Sequence, residues 1–97
     1  MPTYITLYRY TDHGVKNIKG SPERMAEAKK KAKALGGEIK HIYGTMGQYD
    51  LIAVSEAPDD ETATKIALAI AANGTSTSET LRAFNEDEFR NLIAQLP

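Results

Sequence analysis

Alternating apolar and polar positions predict four β-strands in this chain. Residues 3–10 (TYITLYRY) alternate and are rich in β-branched and aromatic side chains, which is typical of a strand. Residues 38–43 and 48–55 predict two more strands, joined by a turn at residues 44–47 that contains two glycines. Residues 75–84 are rich in threonine and weakly hydrophobic, which suits a strand at the edge of a sheet.

The segment after the first strand predicts a loop followed by a helix. Residues 11–20 contain several turn-forming residues, and a loop of this length is often functional. Ser21 is the predicted N-cap of the helix, Pro22 its first helical residue, and Gly36 with Gly37 ends it. Four lysines spread around the later part of this helix, so we expect a solvated face there rather than a patch for nucleic acid.

Capping residues and apolar spacing predict two further helices. Asp59 with Thr62 begins a helix over residues 60–72. Asn85 and Glu88 form a capping box before a regular apolar stripe. The resulting order, βαββαβ and then a helix, predicts an α+β, ferredoxin-like fold with a four-stranded antiparallel sheet. Right-handed crossovers place the first and third strands in the middle of that sheet and the other two at its edges.

Both faces of the first strand carry apolar bulk. One face, called here the tyrosine face, consists of Tyr4, Thr6, Tyr8 and Tyr10. The other face carries Ile5 and Leu7. A strand in a sheet that is covered by helices on one side only should be polar on its outer side. We therefore expect a second subunit to cover the tyrosine face, so that the protein is a homodimer or a higher homo-oligomer.

Composition limits the classes of function that are open to this chain. Its 97 residues with 41% hydrophobic content suit one domain over residues 1–97. The 12 basic and 13 acidic residues nearly cancel, so no net field favours nucleic acid or an anionic membrane. The chain has no cysteine, which excludes disulfides and thiolate chemistry. No secretory signal and no apolar run of the ~20 residues that span a bilayer is visible, so we expect a cytoplasmic protein.

The best candidate site combines residues 13–17 with Arg24 and the start of the third strand. If the first and third strands are antiparallel neighbours, the end of one lies beside the start of the other. The candidate residues would then offer a cation, an amide, an imidazole, a phenol and a carboxylate. These groups suit the binding of a polar or anionic small molecule, or proton transfer with His13 or Asp50 as the base. The alternative is that Asp50 serves the hairpin and His13 is an exposed turn residue. The six candidate ligand-binding residues are His13, Lys16, Asn17, Arg24, Tyr49 and Asp50.

Other kinds of site have little support in the sequence. His13 and His41 are the only histidines and have no partner at metal-ligand spacing, so we predict no metal site and no cofactor. The chain has no glycine-rich phosphate loop before a helix and no nucleophile elbow. The tyrosine face suggests the stacking aromatics of RNA-recognition domains, but the third strand lacks their basic and aromatic motif. Nucleic acid is therefore not an expected partner.

Seven segments form an ordered set along the chain: YITLYRYT (4–11), GVKNIK (14–19), SPER (21–24), LGG (35–37), GQYDL (47–51), APDD (57–60) and the threonine-rich strand that leads into RAF (82–84). With these segments the chain resembles the GYD-domain family, small bacterial and archaeal proteins of the dimeric α+β-barrel superfamily. The resemblance implies two ferredoxin-like subunits with their sheets face to face. The superfamily includes small monooxygenases, isomerases, haem-handling enzymes and ligand-sensing modules, so activity does not follow from the fold. Three hypotheses stay open: a small-molecule-binding domain, which we favour, a cofactor-independent monooxygenase- or isomerase-like enzyme, and a purely structural interaction module.

Overall fold

Four strands form a single antiparallel sheet in the computed structural model, which describes residues 1–97. The strands are β1 (Thr3–Tyr10), β2 (Glu38–Gly44), β3 (Leu51–Glu56) and β4 (Ser76–Ala83). Their order across the sheet is β2-β3-β1-β4, with every neighbouring pair antiparallel. β1 and β3 therefore lie in the middle, as the crossover rule predicts. The α+β, ferredoxin-like fold predicted from the sequence is confirmed.

Four helices accompany the sheet, and one of them was not predicted. Residues 11–20, which we expected to be a loop, form a short helix and a 3-10 turn at Ile18–Gly20. The hydroxyl of Thr11 caps the short helix by accepting a hydrogen bond from the Gly14 N–H at 3.1 Å. A helix of five residues is too short to show an apolar repeat in the sequence. The helices are α1 (Asp12–Lys16), α2 (Ser21–Ala34), α3 (Asp60–Ala71) and α4 (Glu86–Ala94).

The predicted N-caps of α3 and α4 are confirmed. The carboxylate of Asp59 accepts from the Thr62 N–H at 2.8 Å, at the first turn of α3. At α4 the Asn85 side chain accepts from the Glu88 N–H at 2.8 Å, and the Glu88 carboxylate accepts from the Asn85 N–H at 3.0 Å. Both helices therefore begin where local side-chain chemistry satisfies their free N–H groups.

The predicted N-cap of α2 is wrong. Gly20 occupies the capping position and Ser21 is the first helical residue. The Ser21 hydroxyl instead lies 2.6 Å from the Tyr10 hydroxyl, so it links α2 to the end of β1. The 3-10 turn leads directly into α2, so the Ser21 side chain is not needed to cap the helix. Its hydroxyl is therefore free to form a hydrogen bond with the sheet.

The tyrosine face of β1 lies against the protein's own helices, which corrects the expectation that a second subunit covers it. Tyr4 and Thr6 are buried there, and Tyr8 packs against the core. The alternation along β1 was predicted correctly, but both faces carry bulk and the pattern could not tell which one points inward. Only ten of the 97 residues are buried, so the interior of one subunit is small. Four of them form the core cluster: Ala32, Ile39, Ala53 and Ile66.

A β-bulge in β2 rearranges the faces that the sequence predicted. Strict alternation places Ile39, His41 and Tyr43 on one face and Lys40 with Ile42 on the other. The pairing with β3 shifts between Ile39 and His41, so one extra residue enters β2. Ile39 and Ile42 consequently both contact the core, while His41 and Tyr43 lie on the opposite side.

Candidate functional site

The side of the sheet that faces away from the helices, called here the outer face, carries a continuous apolar surface. On the central strand, Ile5 lies between Val54 of β3 and Leu81 of β4. Leu7 lies beside Ile52 on the same side. These residues are partly or largely exposed, which is unusual for so many neighbouring apolar side chains on a small sheet. The apolar members of the outer face are Ile5, Leu7, Tyr43, Ile52, Val54 and Leu81.

Charged groups border the outer face at the end of β1. The Nε of Arg9 donates to the Gln48 carbonyl at 3.0 Å, and its guanidinium lies 4.9 Å from the centre of the Tyr49 ring. The Tyr49 hydroxyl lies 3.4 Å from Oε2 of Glu79, to which it donates. Tyr49, one of the six candidate residues, is thus held between a cation and a carboxylate at the rim of the sheet.

Asp50, a second candidate, holds the hairpin to β1. Its carboxylate Oδ2 accepts from the Tyr10 N–H at 2.9 Å, and its own N–H donates to the Tyr8 carbonyl at 2.8 Å. Its carbonyl accepts from the Thr45 N–H at 2.9 Å, so residues 48–50 belong to the turn and not to β3. The end of β1 does lie beside the start of β3, but the carboxylate there serves the backbone.

Asp50→Ala is expected to lower the free energy of unfolding by about 2 kcal/mol, because the partly buried Tyr10 N–H loses its acceptor. Asp50→Asn keeps an oxygen at that position and should recover at least half of the loss. Urea unfolding followed by far-UV circular dichroism measures both variants. If Asp50→Ala unfolds at the wild-type urea concentration, the carboxylate does not support the hairpin and is free for a ligand.

Three of the six candidate residues come together at the start of α2. His13, Asn17 and Arg24 line an open cleft of about 570 Å³ that contains no hydrophobic side chain. The Nη1 of Arg24 donates to the Asn17 carbonyl at 2.8 Å, and the Asn17 amide donates to the His13 carbonyl at 2.8 Å. The remaining residues that line the cleft are Gly20, Glu23, Glu27, Lys31, Asn73 and Thr75.

The guanidinium of Arg24 carries the one buried side-chain nitrogen or oxygen that lacks a partner. Its Nη2 is buried and makes no hydrogen bond within the protein. A buried N–H without an acceptor costs about 1–3 kcal/mol, so this position favours an oxygen from outside the chain. Lys16 is exposed at the end of α1, and neither it nor Tyr49 nor Asp50 lines the cleft. The structure therefore brings three of the six candidates together in the cleft, places Tyr49 and Asp50 at the hairpin, and leaves Lys16 outside both groups.

A second concave surface, which the sequence did not predict, lies between α3 and β4. It is an open groove of about 800 Å³. The wall on α3 consists mostly of small side chains, Ala63, Ala67 and Ala71, together with Leu68, which is 66% exposed. The wall on β4 is polar and is formed by Ser76, Thr77, Ser78, Thr80 and Arg82.

One end of this groove contains a buried phenol bonded to a carboxylate. The Tyr4 hydroxyl donates to Oδ1 of Asp60 at 2.6 Å, and the guanidinium of Arg82 lies 5.8 Å from the Tyr4 ring. Burial of the phenol, assisted by the bond to Asp60, raises the pKa of Tyr4 to about 12. Sequence reasoning missed this pair because it assigned Tyr4 to the side away from the helices. An acidic residue at the start of a helix that packs on a tyrosine-bearing strand is the signal that was available.

The raised pKa of Tyr4 predicts how stability depends on pH. A phenol whose pKa is higher in the folded state stabilises fully below pH 10.0, the ordinary value, and this contribution is lost as the pH rises towards 12. Tyr4→Phe is expected to cost about 2 kcal/mol at pH 8, because the bond to the carboxylate is lost. Its stability should then fall less steeply than that of the wild type between pH 10 and pH 12.

Urea unfolding midpoints at a series of pH values test this expectation. Tyr43→Phe is the matched control, because the Tyr43 hydroxyl makes no hydrogen bond within the subunit. It should follow the wild-type profile. Parallel profiles for Tyr4→Phe and the wild type would contradict the assignment of the alkaline stability loss to Tyr4.

Two further structural findings concern metal sites and membrane-spanning helices. Nowhere do three or more histidine, cysteine, aspartate or glutamate side chains gather closely enough to hold a metal ion. None of the helices combines the length and the apolar character needed to cross a bilayer.

Comparison with known proteins identifies three similarities. The sequence model of the GYD domain matches residues 4–93. A Thermus thermophilus protein, named glutamine synthetase and cystathionine beta-lyase binding protein, is 33% identical over 97 residues, and the alignment covers 99% of each chain. The crystal structure of TTHA0845, also from Thermus thermophilus, aligns with a TM-score of 0.57 at 23% identity, covering 88% of this chain and 95% of that one. At this identity the crystal structure supports the fold alone.

Proposed function

Because the chain belongs to the GYD-domain family, we propose that it is a protein-binding domain that acts as a homodimer, with the outer faces of two sheets against each other. Protein binding is supported by the name of the Thermus relative, which is a binding protein for two enzymes. The continuous apolar surface of the outer face is the observation that carries the proposal. The outer face is the side of the sheet opposite to the tyrosine face. The sequence had led us to expect the second subunit on the tyrosine face.

The exposed area of one subunit supports a dimer. A compact monomer of 10.6 kDa exposes about 5,500 Å² of surface. This subunit exposes 6590 Å². The excess of about 1,100 Å² is of the size that each partner of a stable dimer buries. The Cα radius of gyration is 14.6 Å, also above the value of about 12.5 Å for a compact domain of this length.

The chemistry of the outer face supports an interface between copies. Apolar side chains occupy its centre on β1 and β3, and the charged side chains of Arg9 and Glu79 lie towards one end. Interfaces have this anatomy, with a desolvated apolar core and a polar rim. Two copies related by a twofold axis present the same residues to each other. One apolar face on each subunit is therefore enough to form a closed dimer.

Light scattering after size-exclusion chromatography tests the dimer. At protein concentrations from about 1 to about 100 µM, which span the range of ordinary dimer affinities, we expect a mass twice that of the 10.6 kDa subunit. A mass equal to one subunit over the whole range would overturn the proposal, because the outer face would then be exposed in solution.

Partner binding is tested with purified enzymes. Glutamine synthetase and cystathionine beta-lyase, the two proteins in the relative's name, are the first choices for isothermal titration calorimetry. The groove between α3 and β4 stays exposed when two outer faces meet, so we assign the partner to it. Leu68→Lys should therefore weaken binding at least tenfold, an effect of about 1.4 kcal/mol, without changing the dimer. Equal binding by wild type and variant would place the partner elsewhere.

A second candidate function, binding of a polar or anionic small molecule, is favoured by the unpartnered nitrogen of Arg24. The cleft brings this cation together with His13 and Asn17. Asp50 is engaged in the hairpin and lies outside the cleft, so it takes no part in this candidate binding site. A ligand oxygen accepting from Nη2 would satisfy the buried N–H.

Thermal unfolding in the presence of inorganic phosphate and, separately, of acetate tests this second function. A ligand that binds only the folded state raises the melting temperature. We expect such a rise for the wild type and for Arg90→Gln, whose guanidinium is exposed on α4, but not for Arg24→Gln. An equal rise in all three proteins would assign the effect to general salt stabilisation.

A further inference from the structure

The C-terminal helix α4 carries an apolar stripe that its own subunit does not cover. Beyond isolated contacts, α4 packs against no other helix or strand of the chain. Its large apolar side chains are between 44% and 69% exposed. The members of this stripe are Phe89, Leu92 and Ile93, together with Leu96 just beyond the end of α4.

The ends and the polar side of α4 are nevertheless well formed. The capping box of Asn85 and Glu88 satisfies its first N–H groups, and Arg90 pairs with Glu86 at 2.7 Å. A helix of nine residues is still too short to be stable in water by itself, because isolated helices below about 12–15 residues are marginal. The stability of α4 therefore requires that something cover its apolar stripe.

The connection between β4 and α4 is short. Only Phe84 and Asn85 separate the two elements. The Phe84 ring lies 4.5 Å from the guanidinium of Arg82, and Asn85 is the N-cap. The subunit is elongated, with a longest dimension of 51 Å. α4 begins just after the end of β4, the strand that carries Leu81 on the outer face.

The charge of α4 limits what can cover the stripe. Its first turn is acidic, with Glu86, Asp87 and Glu88, and Arg90 is its one basic residue. Such a helix is repelled by nucleic acid and by anionic membrane surfaces. The occupant is therefore protein, and the excess surface of about 1,100 Å² matches what a second copy would cover.

We propose that α4 is an arm by which each subunit packs onto the other copy in the dimer. The inference rests on the proposed dimer and adds a second contact to it. The apolar stripe of one arm is covered by the partner, and the symmetric arm makes the same contact in return. Burial of these four side chains then stabilises the arm and the dimer together.

The chain contains no tryptophan, so a single introduced indole reports on α4 alone. Phe89→Trp is expected to give blue-shifted emission in the dimer, because the indole is then shielded from water. The same change in an Ile5→Lys background, which separates the outer faces, should give red-shifted emission. Leu68→Trp on α3 is the control, and its emission should stay red-shifted in both backgrounds.

Light scattering on the same samples separates failure of the arm from failure of the dimer. A dimer in which Phe89→Trp emits like Leu68→Trp overturns the arm and leaves the dimer standing, with the stripe open to a different protein. Blue-shifted emission in both backgrounds overturns the arm as well, because α4 would then pack on its own subunit. A monomeric wild type overturns both proposals.

Leu92→Ser provides a second measurement in case the indole disturbs packing. Leu92 lies in the middle of the stripe, and its loss should raise the dissociation constant of the dimer at least tenfold. Asn91→Ser, on the same exposed helix but outside the stripe, is the matched control and should leave the constant unchanged. Equal constants for the two variants would overturn the inference.

Discussion

Ile5→Lys is expected to convert the dimer into monomers, with a dissociation constant raised about a thousandfold. Ile5 lies on a central strand between Val54 and Leu81, in the middle of the outer face. A lysine there places an ammonium group in an apolar interface without a partner, at a cost of about 2 kcal/mol. Twofold symmetry introduces the change twice, and about 4 kcal/mol corresponds to the stated factor.

Sedimentation equilibrium measures the dissociation constant, and far-UV circular dichroism checks the fold. Leu68→Lys is the control, since it adds a lysine at an exposed apolar position on α3, away from the outer face. Should Ile5→Lys fail to fold, Leu81→Lys gives the same test on an edge strand, where the side chain is already exposed. A dimer of wild-type affinity in a folded outer-face variant would contradict the assignment of the interface.

Gly14→Ala is expected to lower the free energy of unfolding by about 3 kcal/mol, because it overpacks a tight contact. Gly14 is buried in α1, and a methyl group at its Cα would overlap the carbonyl oxygen of Thr75. That oxygen accepts from the Thr11 N–H at 3.0 Å, and the Thr11 hydroxyl donates to the Gly74 carbonyl at 2.7 Å. Making room for the methyl group separates α1 from the start of β4, which adds the loss of these bonds to the cost of overpacking.

Thermal unfolding should show this loss as a drop of about 15 °C in melting temperature, given the size of the domain. Gly44→Ala is the matched control. A methyl group there meets no atom within 4 Å, and Gly44 has an ordinary backbone conformation. We expect its melting temperature to stay close to that of the wild type. Equal effects at the two glycines would show that backbone entropy, and not the close approach, decides the outcome.

Local signals in the sequence were sufficient to predict most of the fold. The alternation in TYITLYRY predicted β1 with its observed ends, and the side chains of Asp59 and Asn85 predicted the starts of α3 and α4. The polar composition of the fourth strand predicted its position at an edge. Each of these features depends on interactions among residues a few positions apart, so one sequence contains the information.

The orientation of the sheet depended on interactions that the sequence does not display. Tyr4 points inward, where Asp60, 56 positions later, accepts its hydrogen bond in the finished fold. The bulge at Ile39 and His41 moves Ile42 into the core, although alternation assigns it to the other face. Periodicity divides a strand into two faces, but the choice between them is made by long-range packing.

Only part of the candidate site could be predicted, because its bonding partners also depend on long-range packing. His13, Asn17 and Arg24 come together because α1, the 3-10 turn and the first turn of α2 are consecutive in the chain. Tyr49 and Asp50 reach the end of β1 as expected, but the backbone of Tyr10 and the side chain of Arg9 engage them first. Proximity followed from topology, whereas the identity of each bonding partner required coordinates.

The small interior of the subunit makes the proposed dimer matter for folding as well as for binding. With only ten buried residues, a single copy holds few apolar side chains away from water, and pairing would supply further burial. Folding and association would then be linked equilibria, because every dimer that forms withdraws folded subunits from exchange with the unfolded chain. We therefore expect the melting temperature to rise with protein concentration and to fall on dilution alone.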